Sequence, residues 1–115
     1  MATEIITYKN NDLDIRLTVS SATVLAGMKR TRLRMTGDKL EKERVERGEE
    51  HDLDRLILRV SIYPDLIAAT TEAEGLPWPL DFETFLTLPE PFWAMWEEVV
   101  YRLNPHWLPT EEKKI

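Results

Sequence analysis

Leu88-Pro89-Glu90-Pro91-Phe92-Trp93-Ala94-Met95-Trp96-Glu97-Glu98-Val99-Val100-Tyr101-Arg102-Leu103-Asn104-Pro105-His106-Trp107 decides how this chain is read. Phe92, Trp96, Val99 and Leu103 recur at spacings of 4, 3 and 4, the apolar stripe of an amphipathic helix. Asn104-Pro105 ends it, because a proline disfavours helical backbone in the residue before it. Upstream, Thr87-Leu88-Pro89-Glu90 has the spacing of a capping box that would start it. All four tryptophans and six of the seven prolines lie from Leu76 onward. Prolines set corners and tryptophans bring large apolar area with one polar handle, so this part is a sharply turned, contact-rich unit.

Working back from that helix, Asp81 caps a short helix, with Leu80 and Phe85 at the two positions of a hydrophobic staple. Leu76-Pro77-Trp78-Pro79 reads as a stiff extended connector. Asp52 or Asp54 opens an earlier helix with Leu53, Leu56, Ile57 and Val60 on its buried face. Pro64 either kinks that helix or starts a new one, and the helix resumes from Asp65 to Ala73 until Gly75 stops it.

Residues 38–50 hold only Leu40 and Val45 as apolar groups, with opposite charges four apart at Asp38/Lys42 and Glu43/Arg47. Such pairs support a helix by only about 0.2–0.5 kcal/mol each. With no apolar face to bury, residues 37–51 are read as a charged linker. Before it, Ser20 or Ser21 caps a helix over residues 21–36, with Gly37 as its stop. Leu13 to Val19 alternates apolar and polar strictly, the period of a strand with one buried face. Glu4 to Lys9 can pair with it across Asn10-Asn11, residues that tolerate the positive φ of a tight turn.

The expected fold is therefore α+β and mainly α. An N-terminal β-hairpin (residues 1–20) precedes three to four helices in a small bundle. The chain is a single domain of 115 residues, with residues 52–109 a helical C-terminal part and residues 110–115 a frayed tail.

Composition narrows the function classes. Cysteine is absent, which removes disulfides, thiolate zinc sites and cysteine nucleophiles. No run of about 18 apolar residues could span a membrane. The start lacks a secretory leader's basic and apolar segments, which points to the cytoplasm. Net charge is −6, and it is uneven: residues 1–60 sum to +1 and residues 61–115 to −7. An acidic half beside a balanced half suits solubility, self-association or a basic partner.

Catalytic chemistry finds no foothold. His51 and His106 have no metal-ligand neighbours, so neither a metal nor another cofactor is expected. Asp52/Asp54, Asp81/Glu83 and Glu97/Glu98 read as helix-start and surface charges rather than an acid/base pair. No serine lies in a nucleophile elbow, and the four glycines are too scattered for a phosphate loop. The chain is thus read as no enzyme. Its one basic cluster, Lys29, Arg30, Arg32 and Arg34, could grip phosphates. It has no interleaved aromatic for base stacking. Among the aromatics, Trp93, Trp96, Tyr101 and Trp107 are candidates for a partner surface, since Trp and Tyr concentrate at binding hot spots.

One resemblance sharpens this reading. Tyr63-Pro64-Asp65-Leu66, Asp81-Phe82-Glu83-Thr84-Phe85-Leu86, Leu88-Pro89-Glu90, Trp96 and Leu103-Asn104-Pro105 together resemble the tail assembly chaperones of long-tailed bacteriophages and prophages, over roughly residues 53–107. The resemblance implies a small, mostly helical, non-enzymatic protein of the host bacterial cytoplasm. Such a protein keeps the tape measure protein soluble and helps the tail tube protein polymerise around it, often as a homo-oligomer. It implies no catalytic residues. The alternative reading is a small regulatory nucleic-acid-binding protein using the Lys29–Arg34 cluster.

Overall fold

Strand β1 (Thr3–Lys9) and strand β2 (Asp14–Ser20) form the expected hairpin. In the computed structural model, which describes residues 2–108, they pair antiparallel from Thr3 opposite Ser20 to Lys9 opposite Asp14. The alternation predicted for β2 is real: Ile15, Leu17 and Val19 are fully buried. The turn differs from expectation, since neither Asn10 nor Asn11 has a positive φ. Instead the Asn10 carboxamide oxygen accepts from the Asp12 and Leu13 N–H groups at 2.9 and 2.7 Å, which closes the loop without left-handed backbone.

A third strand, β3 (Thr70–Glu74), pairs antiparallel with the other side of β2. It corrects the reading of 65–73 as helix and of 52–109 as wholly helical. Thr70 and Thr71 are β-branched, and the free edge of β2 offers hydrogen bonds that a lone helical turn does not. The architecture is a three-stranded sheet, order β1-β2-β3, with helices packed on it.

Helix α1 (Val24–Glu46) spans 23 residues and passes straight through most of the stretch read as a linker. Thr23 caps it, its hydroxyl accepting from the Ala26 N–H at 3.2 Å; Ser20 instead is buried at the end of β2. Gly48, at φ 93°, ends it, and Gly37 does not. At Gly37 a Cβ would lie 3.0 Å from Arg59 Cγ and 3.2 Å from the Arg59 carbonyl oxygen, so the glycine lets two helices touch.

Helix α2 (Leu53–Ile57), a π-helical turn (Leu58–Ile62) and helix α3 (Tyr63–Ala69) run on without a break. The widened turn, in which the Tyr63 N–H reaches the Leu58 carbonyl, absorbs Pro64, which has no N–H and would crowd a regular turn. Leu53 and Ile57, expected inside, are exposed, while all of α3 is buried. Helix α4 (Phe82–Phe85) starts at Asp81 as expected, the carboxylate accepting from the Thr84 N–H at 3.2 Å. Helix α5 (Glu90–Leu103) starts at Pro89 with no side-chain cap. The expected capping box is not made: the Thr87 hydroxyl turns back to donate to the Thr84 carbonyl at 2.7 Å.

The core lies between the inner face of the sheet, α3, α4 and α5, with Phe92 and Trp96 fully buried. Asn104 ties it off. Its Nδ2 donates to the Ser20 and Val100 carbonyls at 3.2 and 3.1 Å, and its Oδ1 accepts from the Ala22 N–H at 2.7 Å. The tail at 110–115 lies outside the described residues. Among the described residues no helix is long and apolar enough to cross a membrane.

The two glycines of α1 away from its end should respond oppositely to substitution. Nothing lies within 4 Å of a Cβ at Gly27, so Gly27→Ala should stabilise by up to about 1 kcal/mol through helix propensity. Gly37→Leu should destabilise by about 1–3 kcal/mol through overpacking against Arg59. Thermal melting of both variants checks the pair.

Candidate functional site: the outer face of the long helix

α1 is packed in reverse. Only Gly37 and Glu41 of its residues are buried, while Val24, Leu25, Met28 and Met35 are 84, 74, 55 and 70% exposed. The inward side is held by charge at both ends. Near the start, Arg30 of α1 pairs through Nε with the fully buried Asp65 carboxylate of α3 and lies 4.9 Å above the Trp107 ring. The Tyr101 hydroxyl donates to the other Asp65 oxygen at 2.7 Å. Toward the far end the roles reverse, and α1 supplies the carboxylate. Glu41 accepts from Arg59 at 2.9 Å, from Arg55 at 3.1 Å and from Arg44 at 2.9 Å. Arg55 also pairs with Glu83, and both Arg55 and Arg59 stack on the Phe82 ring, at 5.2 and 5.0 Å.

The two carboxylates titrate in opposite senses. Burial pushes the Glu41 carboxyl up, but the hydrogen bonds from Arg59 and Arg55 outweigh it and hold the group below its ordinary 4.5. At Asp65 burial wins over Tyr101 and Arg30, and the carboxyl is raised above 3.8. Burial, together with the Asp65 bond, likewise drives the Tyr101 hydroxyl up, so it remains a proton donor to that carboxylate at neutral pH.

This cluster decides the fate of the candidate residues. Trp107 is buried beneath Arg30, and Tyr101 is engaged by Asp65. Trp96 is fully buried, its Nε1 donating to the Thr70 hydroxyl at 2.9 Å. Trp93 is half-buried and packs on the core, its Nε1 enclosed without a hydrogen-bond partner. All four aromatics expected on a partner surface thus make contacts within the chain: Trp96 and Trp107 are buried, whereas Trp93 and Tyr101 are half-buried. A sheet with one greasy face and three helices needs large rings to fill it, and Trp96 and Trp107 go there.

The basic cluster is divided by the helix. Arg30 turns inward to Asp65, and Arg34, one turn on, acts on the same carboxylate. Lys29 and Arg32 are exposed, and Arg32 joins the apolar face. That face forms an open groove of about 650 Å³ lined by Val24, Gly27, Met28, Thr31, Arg32 and Met35. Val24, Met28, Thr31 and Met35 are spaced 4, 3 and 4, the seam of a helix that meets another helix. The sequence reading of residues 21–36 as a helix gave this stripe no role at a surface. The inner side of α1 offers little apolar area in return: Leu33 is half-buried against the core, while Leu40 and Val45 are exposed.

Among the described residues no group of three His, Cys, Asp or Glu side chains is placed to hold a metal ion. No family model, curated protein or solved structure matches the chain.

Removing the Glu41 carboxylate should leave three arginines crowded without their acceptor. Glu41→Gln should cost about 2–4 kcal/mol at neutral pH. The Glu41 proton is held less tightly in the folded state than in the unfolded one, so its contribution is complete above the unfolded value near 4.5. The difference between native protein and Glu41→Gln should shrink as pH falls through the lower folded value. Urea melts of both proteins between neutral and acid pH measure it.

Proposed function

We propose that this chain is a non-catalytic assembly chaperone that covers an apolar helix of a client protein with the outer face of α1. The reversed packing of α1 carries the reading. An isolated exposed leucine needs no explanation, but Val24, Met28 and Met35 in helical register along a groove, with Leu25 exposed beside them, mark an interaction surface. Burying each would contribute roughly 1.5–3 kcal/mol before the costs of association are subtracted. That is a suitable strength for holding a client and then releasing it.

The client's chemistry follows from the groove. Its own apolar residues would repeat at 3 and 4, laid along Val24, Met28 and Met35. Acidic residues would flank them, to meet Lys29 and Arg32, which make no ion pair within the described residues. Methionines suit such a role because their unbranched side chains adapt to many partners. Resemblance to the tail assembly chaperones makes the tape measure protein of a long-tailed phage the proposed client, in the bacterial host's cytoplasm. There the tail tube protein would compete for the client as the tube grows. The acidic half of the chain would keep the complex in solution.

The test is co-expression with the tape measure protein of a long-tailed phage. The expected outcome is a soluble client with the native chain and an aggregated client with the Met28→Glu/Met35→Glu variant. That variant should keep its native circular dichroism, because both side chains point to solvent. A client that stays soluble with the double variant would exclude this face. Binding to duplex DNA that falls steeply with salt and disappears in Lys29→Glu/Arg32→Glu would support a nucleic-acid role instead.

A further inference from the structure

The sheet has two edges, and they are built differently. The β3 edge is five residues long, carries Glu72 and Glu74, and its pairing with β2 is interrupted between Thr18 and Val19. Charge and irregularity are the usual means of keeping an edge from pairing. The β1 edge is longer and regular, and its two charges, Glu4 and Lys9, are of opposite sign. It is seven residues, Thr-Glu-Ile-Ile-Thr-Tyr-Lys, with no proline or glycine and no net charge.

The hairpin rungs show which backbone groups face outward. The Asn10 N–H donates to the Leu13 carbonyl and the Ser21 N–H to the Ala2 carbonyl, each at 2.9 Å. Alternation by two between these rungs assigns the backbone groups of Glu4, Ile6 and Tyr8 to β2. The N–H and C=O of Thr3, Ile5, Thr7 and Lys9 then point away from the sheet. None of these groups has a hydrogen-bond partner among the described residues.

We infer that β1 is a self-association edge, onto which a second copy of this chain adds its own β1 antiparallel. Pairing about Ile6 sets Thr3 opposite Lys9 and Ile5 opposite Thr7. Every outward N–H and C=O of the four residues then meets a partner, and the sheet continues as β3-β2-β1-β1-β2-β3. The sequence is complementary to itself in this register. Glu4 falls opposite Tyr8 and Lys9 opposite Thr3, so no like charges face each other. The flanks also match. Ile5 is half-exposed on the outer face of the sheet. On the inner face, α5 lies over β1 with Phe92 against Tyr8 at 5.5 Å and Arg102 on Glu4. Met95, seven residues before Arg102 and on the same flank of α5, is 40% exposed there. Two copies would bring Ile5 to Thr7 on one face and Met95 toward Met95 on the other. This surface is separate from the α1 groove, so the inference does not depend on the client.

Sedimentation equilibrium on the purified full chain tests it, with native-state hydrogen exchange on the same sample. The expected mass is a dimer that dissociates on dilution. The Thr3, Ile5, Thr7 and Lys9 amides should exchange slowly at high concentration and fast at low. The Thr7→Pro variant removes an outward N–H and leaves the β2 bonds intact, so it should be monomeric with an unchanged melting temperature. Ile5→Lys, which places a cation at the seam, should weaken the dimer if proline disturbs the fold. Met28→Glu/Met35→Glu should leave the mass unchanged. A monomer at every concentration, or a dimer in which those four amides stay unprotected, overturns the proposal. So does a dimer that survives both edge variants in folded form. A monomer whose β1 amides become protected only on adding an extended peptide of another protein would assign the edge to that partner and overturn self-association.

Discussion

The position of α1 depends on two buried carboxylates, Asp65 and Glu41. A long helix normally docks by laying an apolar stripe on the core. α1 has no such stripe on its inner side, so it is moored by guanidinium–carboxylate pairs, one at either end of a glycine contact. The donors and acceptors are exchanged between the two ends: α1 gives the arginine to α3 and takes arginines from α2 and the π-helical turn. This arrangement sets the helix's rotation. A hydrophobic stripe tolerates small turns about the axis, whereas Arg30 and Glu41 must each meet a fixed partner. Buried pairs of this kind add little net stability against an apolar alternative, but they specify geometry strongly. The geometry they specify turns Val24, Met28 and Met35 to solvent.

The same mooring explains where sequence reading succeeded and failed. Elements whose signal is local and apolar were legible: the alternation of β2, the cap at Asp81, the stripe from Phe92 to Leu103 and its end at Asn104. The C-terminal half of α1 was not, because residues 38–46 carry no apolar periodicity, and a helix held by long-range ion pairs leaves no such trace. β3 was missed for a related reason. Its pairing to β2 joins residues more than fifty positions apart, and nothing in Thr70 to Glu74 itself announces the partner. The π-helical turn before Pro64 is one of the two outcomes a proline permits, and only the continuous packing of α3 decides it.

The candidate site was half legible. Trp96 and Trp107 have the composition of hot-spot residues, yet each has its handle or its face engaged inside the chain, by Thr70 and by Arg30. Aromatic content thus says that a surface is large and apolar without saying whether the other side is the same molecule. The charge cluster was legible as charge but not as two clusters. Only the helix's rotation separates Arg30 and Arg34, which serve Asp65, from Lys29 and Arg32, which face outward.

A helix anchored by ions also detaches differently from one anchored by oil. When α1 lifts from α2 and α3, the interface that becomes wet is mostly guanidinium, carboxylate and bare glycine backbone, with Leu33 among its few greasy members. Water solvates those charged groups well, while Leu33 and the Trp107 ring beneath Arg30 are the apolar part that opposes the separation.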